Sequence, residues 1–439
     1  MTIAVSRQLF AAVMAVLLCW GAPAAEASPK PPEEVLRDWY GLVLKLVRHT
    51  PTYSPPVASR AFAYLGVTAF EATETGTPDL RSLAGQLNGL TAVPKRETGK
   101  IYDNALVIDA AMAAAATTFF SNTGPTGQRA MAALERQLAD DLAKDVPAGV
   151  IQRSRAHGTA IAGQIIAWAK SDGGAVVENL GFPLQYALPK GPAHWTPTNL
   201  ISLQQTPLLP AWGSNRTFVL KDGKACPLPP PIDYSEDKAS EFYRQALEVV
   251  EAKKALTDEQ RAIARFWSDV AMLSTTPPGH WISIVLQILA RDQRGLNDSA
   301  DVLARVGLAE ADAFIGCWNT KFQYDLLRPV TYIRRVIDPK WETLLTTPPF
   351  PEYPSGHSTQ SAAVAAVLTQ VFGEHFAFTD ATYARDGLAA RAYPDFWAAA
   401  NEAAISRLYG GIHFRAAIER GLEQGKCIGK AVNALRTKR

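Results

Sequence analysis

Two histidines in the C-terminal part of the chain, His357 and His413, each stand in a run whose residue types suit the holding of an oxyanion. Lys321 and Arg328-Pro329 lie upstream, Pro354-Ser355-Gly356 leads directly into His357, and His413 follows Ser406-Arg407. Guanidinium forks match anions with two or more oxygens, an ammonium adds a point charge, and Ser355 with the Gly356 amide can fill remaining lone pairs. Phosphate or a close analogue is the natural occupant. Two imidazoles beside it can divide the chemistry: one attacks or ligates the central atom through a ring nitrogen, and the other moves a proton at the opposite apical oxygen.

Three segments must converge to build such a place. The stretch from Ala311 to Leu327 reads as helix, so Lys321 and Arg328, seven residues apart, leave from one face, and Pro329 ends it. Ser355-Gly356-His357 opens the apolar-periodic run Ser361 to Phe372, and a helix N-terminus offers unpaired N–H groups and a positive dipole end to an anion. Gly410-Gly411 breaks a third helix near Tyr409, so that Arg407 and His413 need not share a helical face.

These three parts together resemble the signature of the superfamily of type-2 phosphatidic acid phosphatases and vanadium-dependent haloperoxidases. The resemblance implies an all-α fold of helical bundles of the haloperoxidase and acid phosphatase type. It implies that Lys321, Arg328, Ser355, Gly356, His357, Arg407 and His413 hold vanadate or phosphate, with His413 as vanadium ligand or phosphoryl nucleophile and His357 as acid–base residue. Trp318 and Phe350 resemble the aromatic positions that flank the site in the haloperoxidase branch, and Phe266-Trp267-Ser268-Asp269 resembles a segment whose Asp pairs with a signature arginine. Asp269 is thereby implied as the partner of Arg407. One position departs from the signature: its usual Asp, four residues after the last His, is Ala417, which leaves His413 without an identified carboxylate.

Two activities are expected on this basis. The first is a vanadate-dependent haloperoxidase that oxidises halide with hydrogen peroxide for an organic acceptor, with Lys321 polarising bound peroxide. The alternative is a secreted acid phosphatase acting on a phosphomonoester through a phosphohistidine; an anion-binding relic without activity is the third reading. The aromatic positions favour the first.

The remainder of the chain sets the frame. Arg7, the apolar run Leu9 to Ala22 and the small-x-small Ala25-Glu26-Ala27 form the pattern of a signal peptide over residues 1–27, so a secreted or periplasmic protein is expected, with cleavage after Ala27. Beyond it no apolar run reaches the length of a membrane helix. With 44 Lys plus Arg against 42 Asp plus Glu, no basic field suggests nucleic acid. Apolar residues at helical spacing mark an N-terminal helical region, 28–180, and a C-terminal helical catalytic region, 234–439. A proline-rich ordered connection, 181–233, separates them. Thr257 to Gln260 is a capping-box pattern, leading into a helix from Arg261 to Met272. His280 reads as a loop residue near the site entrance. Of the cysteines beyond the signal, Cys226, Cys317 and Cys427, at most one pair can bridge, and Cys317 and Cys427 read as packed small hydrophobes.

Overall fold

The computed structural model describes residues 30–178, 181–198 and 206–439; the expected signal peptide lies outside them. The architecture is all-α, with a single two-stranded hairpin among the described residues. Helix α1 (Pro32–Arg48) carries Glu33 and Glu34 in its first turn and Lys45 and Arg48 in its last, complementing the helix dipole at both ends. Its apolar stripe buries Val35, Trp39 and Val43. Helix α2 (Pro55–Glu74) is buried on nearly every side, which marks it as a central helix. The first group of helices is completed by α3 (Asn104–Phe119), capped by the Asp103 carboxylate, with α4 (Gly124–Leu142), α5 (Ala148–Ala169) and the single turn α6 (Gly174–Val177).

Proline density prevents long helices in the next stretch, whose described residues carry one 3-10 turn, Trp212–Ser214. It is nonetheless tied down. The Trp195 N–H donates to the Asp325 carbonyl at 2.8 Å, the Leu208 N–H to the Pro349 carbonyl at 2.8 Å, and Trp195 and Trp212 are fully buried.

The second half begins with α7 (Glu241–Lys254) and α8 (Asp258–Phe266), the latter opened by the expected Thr257–Gln260 capping box. Helix α8 stops at Phe266 instead of running to Met272. Asp269 lies beyond its end with φ 48°, a left-handed conformation that Asp tolerates when its carboxylate is bound locally. Helix α9 (Thr276–Arg291) starts on Pro277 and Pro278, and carries His280 in its first turn, so His280 is a buried helical residue and not a loop residue at the entrance.

Helix α10 (Leu296–Tyr324) is one continuous rod that begins well before the expected Ala311 and ends before Leu327, and it is buried all round from Ser299 to Phe314 and beyond. It ends at Asp325, whose φ of 48° closes a left-handed cap. Arg328 therefore does not share a helical face with Lys321. It is the N-cap of α11 (Pro329–Val336), and Pro329 starts that helix instead of terminating the previous one, since a proline lacks only an N–H that the first turn leaves unpaired anyway. Helix α12 (Gly356–Phe372) follows, then β1 (Phe378–Asp380) paired antiparallel with β2 (Arg391–Tyr393), then α13 (Phe396–Tyr409) and α14 (Arg415–Asn433).

One apolar core runs through both halves, with Trp39, Phe62 and Tyr64 sharing it with Leu303, Phe314 and Val364. Two close helix contacts fix its geometry. Helix α2 packs along α10 at Gly66, where an added Cβ would stand 2.9 Å from the Leu303 carbonyl oxygen. Helix α12 packs along α14 at Gly425, where a Cβ would stand 2.1 Å from the Thr359 carbonyl oxygen. The disulfide Cys226–Cys427 ties α14 to the proline-rich stretch across a sequence separation of 201, so Cys427 is a cross-link and not a packed thiol, while Cys317 remains free and buried.

Gly425→Ala is expected to push α12 off α14 and lower stability by roughly 1–3 kcal/mol, as overpacked sites do. Urea unfolding reads this directly, and a midpoint equal to that of the native chain would contradict the close approach.

Candidate active site

Proline chemistry builds the floor of the site. Pro348, Pro349, Pro351 and Pro354 have no N–H, so the segment from Pro348 to Pro354 presents more carbonyls than it can pair internally. Buried cations take them. Lys321, at the last turn of α10, donates to the carbonyls of Pro351 (2.8 Å), Glu352 (3.0 Å) and Pro354. Arg328 donates through Nε to the Phe350 carbonyl at 2.8 Å and through Nη1 to the Ile412 carbonyl at 2.9 Å. On α13, Arg407 donates to the Trp267 carbonyl.

All three cations are buried, and burial is the main reason their pKa values fall: Lys321 to about 7, Arg328 to about 9, Arg407 to about 10. Arg407 lowers Arg328 further, and Arg328 lowers Lys321. Among the described residues, Arg328 Nη2 and Arg407 Nε are buried donors with no hydrogen-bond partner. Buried N–H groups are almost always paired, so an acceptor from outside the chain is implied. Lys321 differs from expectation: its three donors are spent on carbonyls, and it bears on the site as a charge behind the Phe350 ring, 5.2 Å from the ring centre.

Beside Arg328 lies His413, and its proton can be located from its neighbours. Arg328 Nη1 is 3.1 Å from His413 Nε2, and a guanidinium only donates, so Nε2 carries the lone pair. The proton is then on Nδ1, which donates to Glu352 Oε1 at 2.9 Å, while the Phe414 N–H donates to the same oxygen at 2.8 Å. Burial, Arg328, Lys321 and Arg407 push the His413 pKa well below its usual value, which keeps the ring neutral. Glu352 is the carboxylate missing from the sequence reading. The signature position, Ala417, contributes a carbonyl that receives the Ser355 N–H at 3.0 Å. Burial raises Glu352 to about 7, against the pull of Arg328, the Phe414 N–H and Lys321. The clue in the sequence was a lone carboxylate in a run of prolines and aromatics.

The other imidazole sits at the N-terminus of α12. Ser355 caps that helix, its Oγ accepting the Ser358 N–H at 3.3 Å, so its hydroxyl serves the helix first. His357 Nε2 lies 3.2 Å from Arg407 Nη1 and 3.2 Å from Asp269 Oδ2. Burial and then Arg407 lower its pKa to about 4. The expected Asp269–Arg407 ion pair is replaced by this arrangement, because Asp269 is drawn elsewhere. Its Oδ1 accepts from Tyr383 Oη at 2.5 Å and from His280 Nδ1 at 3.0 Å, and His280 Nε2 in turn meets Asp380 Oδ2 at 2.8 Å. Burial opposes charge on His280, yet Asp269 and Asp380 outweigh it and raise its pKa to about 10; burial likewise opposes charge on Asp269, yet His280 and His357 hold it well below the carboxylate range.

Above these groups opens a cavity of about 310 Å³. His357, His413, Arg407 and Gly356 line its base, and its walls include Trp318, Phe350 and Phe314. The expected Trp318 and Phe350 thus reach the cavity, their rings 4.8 Å apart. Lys321, Arg328 and Ser355 stand behind the lining.

Comparison with known proteins decides the family. Residues 301–438 match the description "VCPO second helical-bundle domain". The first bacterial vanadium-dependent iodoperoxidase of known structure is 36% identical, with a TM-score of 0.83 over 92% of this chain and 97% of that one. The chain belongs to the superfamily of vanadium haloperoxidases. The vanadium chloroperoxidase of Curvularia inaequalis is 30% identical over 177 residues, a match spanning 33% of this chain and 29% of that protein. A holo bacterial vanadium-dependent chloroperoxidase shares the fold at TM-score 0.69 and 17% identity. Within this superfamily setting, sequence reasoning also missed that Asp269 joins His280 and Asp380 in one cluster, since Asp380, on β1, reaches His280 from 100 residues further along the chain.

A pH dependence follows from that cluster. His280 gains charge on folding, so the stability it contributes is complete below its ordinary pKa of 6.5 and is lost as pH rises toward about 10. Asp380→Asn is expected to cost on the order of 3 kcal/mol at pH near 6, with the deficit shrinking as pH approaches 10. Chemical denaturation at the two pH values checks it; a deficit that grows with pH would contradict the charged state assigned to His280.

Proposed function

We propose that this chain is a vanadate-dependent haloperoxidase that uses hydrogen peroxide to oxidise halide. The observation that carries the reading is the lone pair of His413 Nε2 at the base of a cavity lined by Arg407 and backed by Arg328, each of which keeps one buried nitrogen, Arg407 Nε and Arg328 Nη2, without a protein partner. This donor set fits vanadate: one neutral ring nitrogen for the metal, and cations and N–H groups for its oxygens. Among the described residues no cluster of three or more His, Cys, Asp or Glu could hold a bare metal ion, which suits a site for an oxyanion.

His413 would hold vanadium, and Arg328, Arg407 and the first-turn N–H groups of α12 would hold its oxygens, with Lys321 adding charge from behind. When bound, vanadate supplies the electrophilic centre at which peroxide becomes able to oxidise halide. The protein's part is positional. Glu352 keeps the His413 proton on Nδ1, Lys321 and Arg328 hold the Pro348–Pro354 segment in place, and His357 would exchange a proton with an oxygen of the bound group. The aromatic walls limit water around the reacting atoms.

A phosphomonoesterase is the second reading, favoured by one observation: Glu352 provides the carboxylate behind His413 from which a nucleophilic imidazole gains. The relatives are haloperoxidases, which supports the first reading over it.

Assays on one preparation separate the two. Peroxide and bromide should halogenate an acceptor dye only with added vanadate, and His357→Ala should lower turnover on the order of 10²–10⁴-fold. Hydrolysis of a phosphomonoester that vanadate inhibits, with no halogenation, would replace the first reading by the second.

We also propose export to the periplasm or outside the cell. The Cys226–Cys427 disulfide supports it, since such bonds persist in oxidising compartments. Mass spectrometry of the native protein should find the mature N-terminus at Ser28, and an intact Met1 would contradict export.

A further inference from the structure

His280 lies outside the cavity lining, yet both of its ring nitrogens are engaged. It is fully buried, its ring stacks on Trp267 with centroids 4.4 Å apart, and both of its nitrogens face carboxylates, Asp269 at 3.0 Å and Asp380 at 2.8 Å. A neutral imidazole has one donor and one acceptor nitrogen, so two carboxylates can both be satisfied only by the doubly protonated ring. Stacking on Trp267 further suits a cation. The other charged or titratable groups around it are Tyr383, bonded to Asp269, His357 and Arg407 beyond Asp269, and Glu402, which accepts from Trp267 Nε1 at 3.0 Å.

The consequence falls on His357. Its Nε2 is 3.2 Å from a group that only donates, Arg407 Nη1, and 3.2 Å from a carboxylate oxygen, Asp269 Oδ2. The two neighbours ask for opposite tautomers. Paired with Arg407, Nε2 carries the lone pair and Nδ1 the proton; paired with anionic Asp269, Nε2 carries the proton and Nδ1 the lone pair. Among the described residues no hydrogen bond goes to His357 Nδ1, and the ring lines the cavity.

We propose that His280 is a positioning residue that decides this contest: as the counter-charge of Asp269 it keeps that carboxylate anionic, and Asp269 then holds the His357 proton on Nε2, so that Nδ1 is the nitrogen offered as base. Asp380 completes the device by holding the second proton of His280. The depressed pKa of Asp269 and the raised pKa of His280 agree with it. The role given to Nδ1 rests on the acid–base reading of His357 above; the tautomer itself does not.

Nitrogen-15 NMR of the histidine-labelled full chain tests it without any turnover. At neutral pH, His280 should show both nitrogens protonated and His357 should show its proton on Nε2, assigned by loss of signals in His280→Gln and His357→Ala. In His280→Gln the His357 proton should move to Nδ1, with helix content by circular dichroism unchanged. A neutral His280, a His357 already protonated on Nδ1, or a tautomer that His280→Gln leaves in place would each overturn the proposal. Should His280→Gln fail to fold, Asp380→Asn takes its place: loss of the second His280 proton with a shift of His357 toward Nδ1–H supports the relay, and an unmoved His357 overturns it. Because no activity is read, a chain that proves to be a phosphatase leaves the outcome as informative as before.

Discussion

The structure depends on how three buried cations are satisfied. Lys321, Arg328 and Arg407 are all buried, and among the described residues the carboxylates that act on them are Glu352 and Asp269, of which Asp269 is already engaged by His280 and Tyr383. Isolated buried charge is costly unless paired or hydrogen-bonded. The chain meets the constraint with carbonyls from a segment whose prolines cannot donate, together with the Trp267 and Ile412 carbonyls. That solution leaves Arg328 Nη2 and Arg407 Nε buried without partners. The proposed anion site is where a bound oxyanion would complete it.

Both imidazoles are governed by the same device, a permanent donor on one side and a carboxylate on the other. At His413 the two partners occupy different nitrogens, Arg328 on Nε2 and Glu352 on Nδ1, and the tautomer is unambiguous. At His357 both partners meet the same nitrogen, and the proposed role of His280 is to decide between them. This difference matches the division of labour proposed for the two rings: the one that would present a fixed lone pair is locked locally, and the one that would exchange protons has its two partners in competition.

Much of the helical frame was legible in the sequence, because apolar period and capping residues are local, and of the signature residues Gly356, His357, Arg407 and His413 come together in the lining of one cavity. The Thr257 capping box and the break at Gly410-Gly411 are as expected. Register at the end of α10 was not, since the left-handed turn at Asp325 converts a seven-residue spacing from one helical face into a loop crossing. Glu352, the Asp269–His280–Asp380 cluster and the Cys226–Cys427 bond were hidden for a different reason. Each joins segments distant in sequence, and nothing in the local pattern of one predicts its partner in the other. In the case of Asp269 the family resemblance suggested the right residue and the wrong partner, because the resemblance carried no information about His280.

On this reading, His413 Nε2 and the unpartnered Arg328 Nη2 and Arg407 Nε belong to one oxyanion site. Diffraction from crystals soaked in orthovanadate, recorded at a wavelength where vanadium scatters anomalously, tests it most directly. A single vanadium peak within bonding distance of His413 Nε2, with oxygens reaching Arg328 Nη2 and Arg407 Nε, is the predicted result. A peak bonded to His357, or none in this cavity while vanadium occupies another site, would contradict the account.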